Sequence, residues 1–283
     1  MEVINMTKTW FVTGASRGLG RAIIEKQLAD GNNVVATARH LDLFDSLVTK
    51  YGDQIYPLQL DVTDVDAVNK AIADAIEHFN SIDVLVNNAG FADMDSVEEM
   101  SLDSFKAQMD TDYYGTLYTI RAVLPSMRQN KSGRIINISS IGGRIGGAGL
   151  GAYQSAKFAV NGLTEVVAQE VKPFGIQVTT VEPGGMRTEW GGTSMSAAKS
   201  DTYKETVGLA ISYIHDEWHS EMPRYVSEPS KVAEALDTLS NMDEAPVHLL
   251  IGKDAAQAAK AHAESLAQTD EANMNITEST GNM

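Results

Sequence analysis

TGASRGLG, residues 13–20, stands between an apolar run and a helical one, and its reading decides the fold. KTWFVTG (8–14) reads as a strand ending at glycine. LGRAIIEKQLADG (19–31) follows with Ile23, Ile24, Gln27 and Leu28 at three- and four-residue steps, and Gly31 supplies a stop. In a strand–turn–helix setting, Gly14 takes the tight turn, Gly18 lets the backbone approach a pyrophosphate, and Gly20 lets the helix pack on its strand. The helix N-terminus adds free N–H groups and a positive dipole end. Outside this setting the same cluster is only a structural turn.

The rest of the chain repeats the alternation. NVVATA (33–38), IYPLQL (55–60), IDVLVNNAG (82–90), GRIINISS (133–140), IQVTTVEPG (176–184) and VHLLIG (247–252) read as further strands, with helical segments between them. Val65, Val68, Ile72, Ile76 and Phe79 mark one helix face, opened by Thr63. Near-continuous apolar strands suit a sheet covered on both sides. The expected fold is therefore α/β, a doubly wound parallel sheet with helices on both faces, a Rossmann fold in a single domain over residues 1–265. A long insertion at about 185–228 interrupts the rhythm, and the polar stretch 266–283 is expected to be a flexible tail.

Composition narrows the function. A formal charge of −16 and a pI near 4.7 argue against nucleic acid and membrane surfaces as partners. With no cysteine, disulfides and thiolate chemistry are excluded. The N-terminal stretch has no secretory pattern, so a cytoplasmic protein is expected.

Which dinucleotide the loop suits depends on the end of the second strand. An acid there binds a ribose 2′-hydroxyl, but this strand ends ATARH, with Arg39 and no acid before Asp42. Arg17 lies in the glycine loop itself. Two guanidiniums at one corner suit a 2′-phosphate, so NADP(H) is expected over NAD(H). Two solvated rim arginines are the alternative.

YQSAK (153–157) puts Tyr153 and Lys157 at i and i+4, on one helix face. With nine tyrosines in the chain, such a pair alone is unremarkable. Its setting decides. TGxxxGxG at 13–20, Asp61, NNAG at 87–90, NISS at 137–140, YQSAK and EPGGMRT (182–188) occur together and in order. This set resembles the short-chain dehydrogenase/reductase family, its shorter NADP-binding branch, over roughly residues 8–260.

The resemblance implies a catalytic set of Ser140, Tyr153, Lys157 and Asp112, with Ser139 the alternative to Ser140. It implies a cofactor site built from Gly14, Ser16, Arg17, Gly18, Leu19 and Gly20 of the loop, with Arg39. Asp61 and Val62 would border the adenine. Asn87, Asn88, Ala89 and Gly90 stand toward the ribose, and Pro183, Gly184 and Thr188 toward the nicotinamide. Tyr153 would be the proton-transfer group between nicotinamide and a carbonyl/alcohol pair, and Lys157 would lower its pKa and bind the nicotinamide ribose. Ser140 would steady the charge on the substrate oxygen. The family carries asparagine where this chain has Asp112, so an ionised Asp112 is expected to hold Lys157 as ammonium. A homodimer or homotetramer is also implied, through the helices after the fourth and fifth strands.

HDEWH (215–219) mimics a zinc motif but has Asp216 where glutamate is needed, and no metal is expected. It lies in the insertion, which reads as a substrate lid. Met186, Trp190, Met195 and Trp218 either wall an apolar pocket or pack the lid on the body. The rival to an enzyme is a non-catalytic dinucleotide-sensing binding protein. A 3-oxoacyl carrier-protein reductase is disfavoured by the acidic surface, which repels an acidic carrier.

Overall fold

The computed structural model describes residues 7–188, 195–197, 201–219 and 226–281. The strands are β1 Thr9–Val12, β2 Asn33–Ala38, β3 Ile55–Gln59, β4 Val84–Asn87, β5 Ala92–Met94, β6 Gly133–Ile138, β7 Ile176–Pro183, β8 Met195–Ala197 and β9 His248–Ile251. Seven of them form one sheet in the order β3-β2-β1-β4-β6-β7-β9, every pair parallel. Trp10 pairs with Val34 on one side and Val84 on the other. The order reverses between β1 and β4, and an open α/β sheet leaves a crevice there, beyond the carboxyl ends of its strands.

Both sheet faces are buried, which explains the unbroken apolar runs. Trp10, Val34, Val84 and Ile136 pack on α1 (Gly18–Ala29), α2 (Asp45–Tyr51) and α8 (Pro229–Ser240). Phe11, Val35, Leu85 and Ile135 pack on the opposite side, against α3 (Val65–Phe79), α5 (Gly115–Asn130) and α6 (Gly151–Val171). Each fully buried Leu, Ile or Phe contributes roughly 1.5–3 kcal/mol of transfer free energy. The doubly wound fold is thus held together by two apolar layers, one per face. Among the described residues no helix is long and apolar enough to cross a membrane.

Several details depart from expectation. The N-cap of α3 is Asp64, not Thr63: its carboxylate accepts from Asp66 N and Ala67 N, both at 3.0 Å. Thr63 instead donates from Oγ1 to Asp61 at 2.8 Å. The stretch from 266, expected as a loose tail, is helical. α9 runs Lys253–Ala272, and α10 covers Met274–Glu278. Its Ala, Gln, Lys and Glu content propagates a helix even though little of it packs.

Ahead of α5, α4 (Leu102–Met109) passes through a widened π-turn at Asp110–Tyr114. β5 and β8 pair in a separate parallel ribbon, each too short for its periodicity to show. The insertion contains a second wide turn at Lys204–Gly208 and α7 (Leu209–His219). The side chains of His215, Asp216, Trp218, His219 and Met195, and Trp190 altogether, lie outside the described residues.

Candidate active site

A cavity of about 570 Å³ opens at the β1/β4 reversal. Its first wall is the glycine loop. Gly14 adopts φ +63°, and a Cβ on it would stand 2.8 Å from Ala89 Cα. A Cβ on Gly20 would stand 2.3 Å from Gly14 O and 2.6 Å from Asn88 Nδ2. Gly20 thus makes room for the loop itself rather than for the strand behind it. Thr13 Oγ1 accepts from Asn88 N (2.9 Å) and Ala89 N (3.0 Å), while Asn88 Nδ2 donates to Thr13 O and Gly14 O, both at 3.0 Å. The N-cap residue of α1, Arg17, makes no capping bond with its side chain, and Ser16, Gly18 and Leu19 line the cavity. Bare backbone and a helix N-terminus facing a cavity can receive a pyrophosphate.

Asn87 departs from expectation. It is buried away from the cavity, donating to Asn137 Oδ1 (2.9 Å) and accepting from Thr119 Oγ1 (2.5 Å). Its successor Asn88 lines the cavity, with Ala89 and Gly90. Strand alternation explains this, since neighbours at the end of β4 face opposite ways.

Arg17 and Arg39 both line the cavity, as do Asp61 and Val62. Asp61 accepts from Thr63 N at 3.0 Å as well as from its hydroxyl. The Thr63 backbone bond holds the Asp61 carboxyl below its ordinary range; burial opposes it, and the Thr63 hydroxyl and the Arg39 charge reinforce it. Two guanidiniums on the rim of an anion cradle fit a ligand with a further phosphate.

Opposite lies the hydroxyl set. Tyr153 and Lys157 project from one face of α6, and Ser140 follows β6; all three line the cavity. Ser140 Oγ accepts from Gly142 N at 2.9 Å and is hydrogen-bonded to the Tyr153 phenol. Ser139 Oγ instead donates to the backbone carbonyl of Lys157 at 3.4 Å. Of the two serines, Ser140 meets the tyrosine.

Lys157 Nζ donates to Ile138 O at 3.1 Å and stands 5.5 Å from the centre of the Tyr153 ring. Asp112, in the π-turn, is buried. Its Oδ1 accepts from Phe91 N at 3.1 Å, and its Oδ2 lies 3.5 Å from Lys157 Nζ without another polar partner. Burial pushes the Asp112 carboxyl above its ordinary range, against the pull of the Lys157 charge and the Phe91 N–H.

Burial also pushes the Tyr153 phenol up; the Ser140 hydrogen bond pulls it down, and the Asp112 charge pushes it further up. The expected lowering by Lys157 is therefore not what this geometry produces. The ammonium lies over the ring face, and its charge is shared with Asp112.

Pro183, Gly184, Met186 and Thr188 form the remaining wall, with Thr188 N donating to Met186 O at 2.8 Å. Just behind them is a group the sequence reading passed over. Glu182 is completely buried, and its Oε1 accepts from Asn161 Nδ2 (3.0 Å) and lies 2.8 Å from His248 Nδ1. Arg144 Nε approaches its Oε2 at 2.6 Å. Asn161 Nδ2 also donates to Gly143 O at 3.1 Å, so this network braces the turn that follows Ser140. An acid inside an apolar strand is the signal that could have revealed it.

Comparison with known proteins agrees with this geometry. The short chain dehydrogenase family model matches residues 8–199. Oxidoreductase BOA17 of Botryotinia fuckeliana is 47% identical over 94% of this chain and 96% of its own length. The NADP-dependent 3-hydroxy acid dehydrogenase YdfG of Escherichia coli O6:H1 is 32% identical, covering 76% and 90%. The crystal structure of a short-chain dehydrogenase from Streptomyces avermitilis superposes with a TM-score of 0.90 at 34% identity, covering 98% of this chain and all of that one.

Proposed function

The chain belongs to the short chain dehydrogenase family, and on that premise we propose that it is an NADP(H)-dependent oxidoreductase interconverting a carbonyl and an alcohol. One observation carries the reading: Ser140, Tyr153 and Lys157 line the same cavity as the glycine loop and two arginines. The NADP-dependent relative YdfG supports the choice of nucleotide.

When bound, the cofactor supplies or accepts a hydride. The loop from Gly14 to Gly20 holds its pyrophosphate, and Arg17 and Arg39 hold the 2′-phosphate. Asp61 and Val62 border the adenine, Asn88, Ala89 and Gly90 the ribose, and Pro183, Gly184 and Thr188 the nicotinamide. In reduction Tyr153 gives the proton of its hydroxyl to the substrate oxygen, and Ser140 donates a hydrogen bond to that oxygen. A phenol that burial keeps protonated is a loaded acid, which suits the reducing direction. Lys157 would hydrogen-bond the nicotinamide ribose hydroxyls. Asp112 answers the Lys157 charge across the 3.5 Å gap. Phe158 and Val166 of α6 and Tyr114 ahead of α5 are exposed, and they favour a homodimer or homotetramer, which light scattering tests.

The activity test is NADPH oxidation with a panel of ketones, aldehydes and quinones, using wild type and Tyr153→Phe. Wild type turns over at least one of them, and Tyr153→Phe loses roughly 10²–10⁴-fold in rate while still binding NADPH. Turnover unchanged in Tyr153→Phe contradicts the mechanism. NADPH binding with no turnover on any carbonyl favours a dinucleotide sensor instead.

A further inference from the structure

Behind the wall formed by residues 183–188 lies a carboxylate that takes no part in the proton-transfer set. Asp254 is the second residue of α9, and its Oδ2 accepts a hydrogen bond from Gly185 N at 2.7 Å. The carboxylate is wedged between two glycines. A Cβ on Gly184 would stand 2.0 Å from its Oδ2, and one on Gly252 would stand 2.5 Å from its Oδ1. Gly252 also adopts φ +101°, where side chains are strained. Both positions are therefore shaped around this one side chain.

The contact does more than anchor a helix. α9 buries only Ala255 and Ala259, and an acid in its first turn also answers the helix N-terminus. A charged acceptor aimed at a main-chain N–H fixes backbone. Its target, Gly184-Gly185, is the most permissive pair a chain can carry, and a segment left to sample many conformations loses that freedom on binding. β9 and the segment at Ser227 hold the same turn from the outside. Gly184 N donates to Ile251 O (2.9 Å), and Ser227 N donates to Gly185 O (2.9 Å).

We infer that Asp254 is a positioning residue: it fixes the Pro183–Gly185 turn so that this wall of the cavity is shaped before the dinucleotide arrives. The inference rests on the reading of the cavity as a dinucleotide site. It assigns α9, remote in sequence from every motif, a share in cofactor affinity. Asp254 itself meets Gly184, Gly185 and Gly252, whereas the proton-transfer set stands at Ser140, which follows β6, and on α6.

Calorimetric titration with NADPH, thermal unfolding and steady-state kinetics on wild type, Asp254→Ala and Asp254→Asn test it. Asp254→Ala is expected to weaken NADPH binding several-fold, because a turn no longer held in the free protein must be ordered when the dinucleotide binds. The NADPH KM rises with it and the melting temperature falls by the loss of one hydrogen bond, while kcat at saturating cofactor holds. Asp254→Asn, which still accepts from Gly185, falls in between. If Asp254→Ala does not fold, Asp254→Asn decides: a higher NADPH KM with kcat held supports the inference, and an unchanged KM overturns it. Affinity, kcat and melting temperature falling together also overturn it, as the pattern of a merely structural residue. Wild-type binding matched by Asp254→Ala defeats this inference alone. A wild type that binds no NADPH defeats the dinucleotide reading and this inference with it.

Discussion

The glycine loop and the 185–228 insertion border the same cavity, but they hold their shape by different means. The loop is fixed atom by atom: Asn88 donates to Thr13 O and Gly14 O, Thr13 Oγ1 accepts from Asn88 N and Ala89 N, and a Cβ on Gly20 would strike Gly14 O and Asn88 Nδ2. The insertion meets the body through short pairings instead. Met186 bridges Ser227 within the insertion itself, while β8 runs beside β5 and a Cβ on Gly149 would find Val207 at 3.2 Å and Met94 at 3.3 Å. Leu209 and Tyr213 remain exposed. A site for an invariant ligand can be built from backbone, whereas specificity for a variable one is carried by side chains on a connecting segment.

This contrast makes separable predictions. The largest effect is expected on the loop side. Arg39→Ala should cut the preference for NADPH over NADH by roughly 10–100-fold, the range of one or two charge-assisted hydrogen bonds, and leave the carbonyl KM alone. Comparing kcat/KM with the two nucleotides checks it; an unchanged ratio breaks the assignment. Val207→Ala should do the reverse. Removing two buried methyls costs roughly 1–2 kcal/mol locally and should raise the carbonyl KM several-fold, with the NADPH Kd unmoved. A shift in NADPH Kd would show that the two regions are not separate.

The smallest effect spans both. The Asp112 charge raises the Tyr153 phenol, so Asp112→Asn should let Tyr153 lose its proton at lower pH. Reduction needs that proton, and its high-pH limb should therefore move to lower pH. A pH–rate profile identical to wild type would mean that Asp112 carries no charge in the working enzyme.

The same contrast describes what could be read in advance. β2 was legible residue by residue, because strands buried on both faces show as unbroken apolar runs. Tyr153, Lys157 and the glycine loop were legible because local spacing dictates their geometry. Asp254 and Glu182 were not. Each is one acid among 38, and its role comes from partners in other elements. Asn87 and Asn88 were both expected toward the ribose, but at the end of β4 only Asn88 lines the cavity. The tail from 266 misled because a composition too polar to pack can still form a helix. The lowered phenol was expected from i, i+4 spacing, which places two side chains on one face but says nothing of burial.

The most direct test of the account is calorimetric titration of the wild-type protein with NADPH and, separately, NADH. The account predicts markedly tighter binding of NADPH, with the preference lost when Arg17 and Arg39 are both replaced. Equal or tighter binding of NADH would contradict the cofactor assignment, and binding of neither would contradict the proposed function.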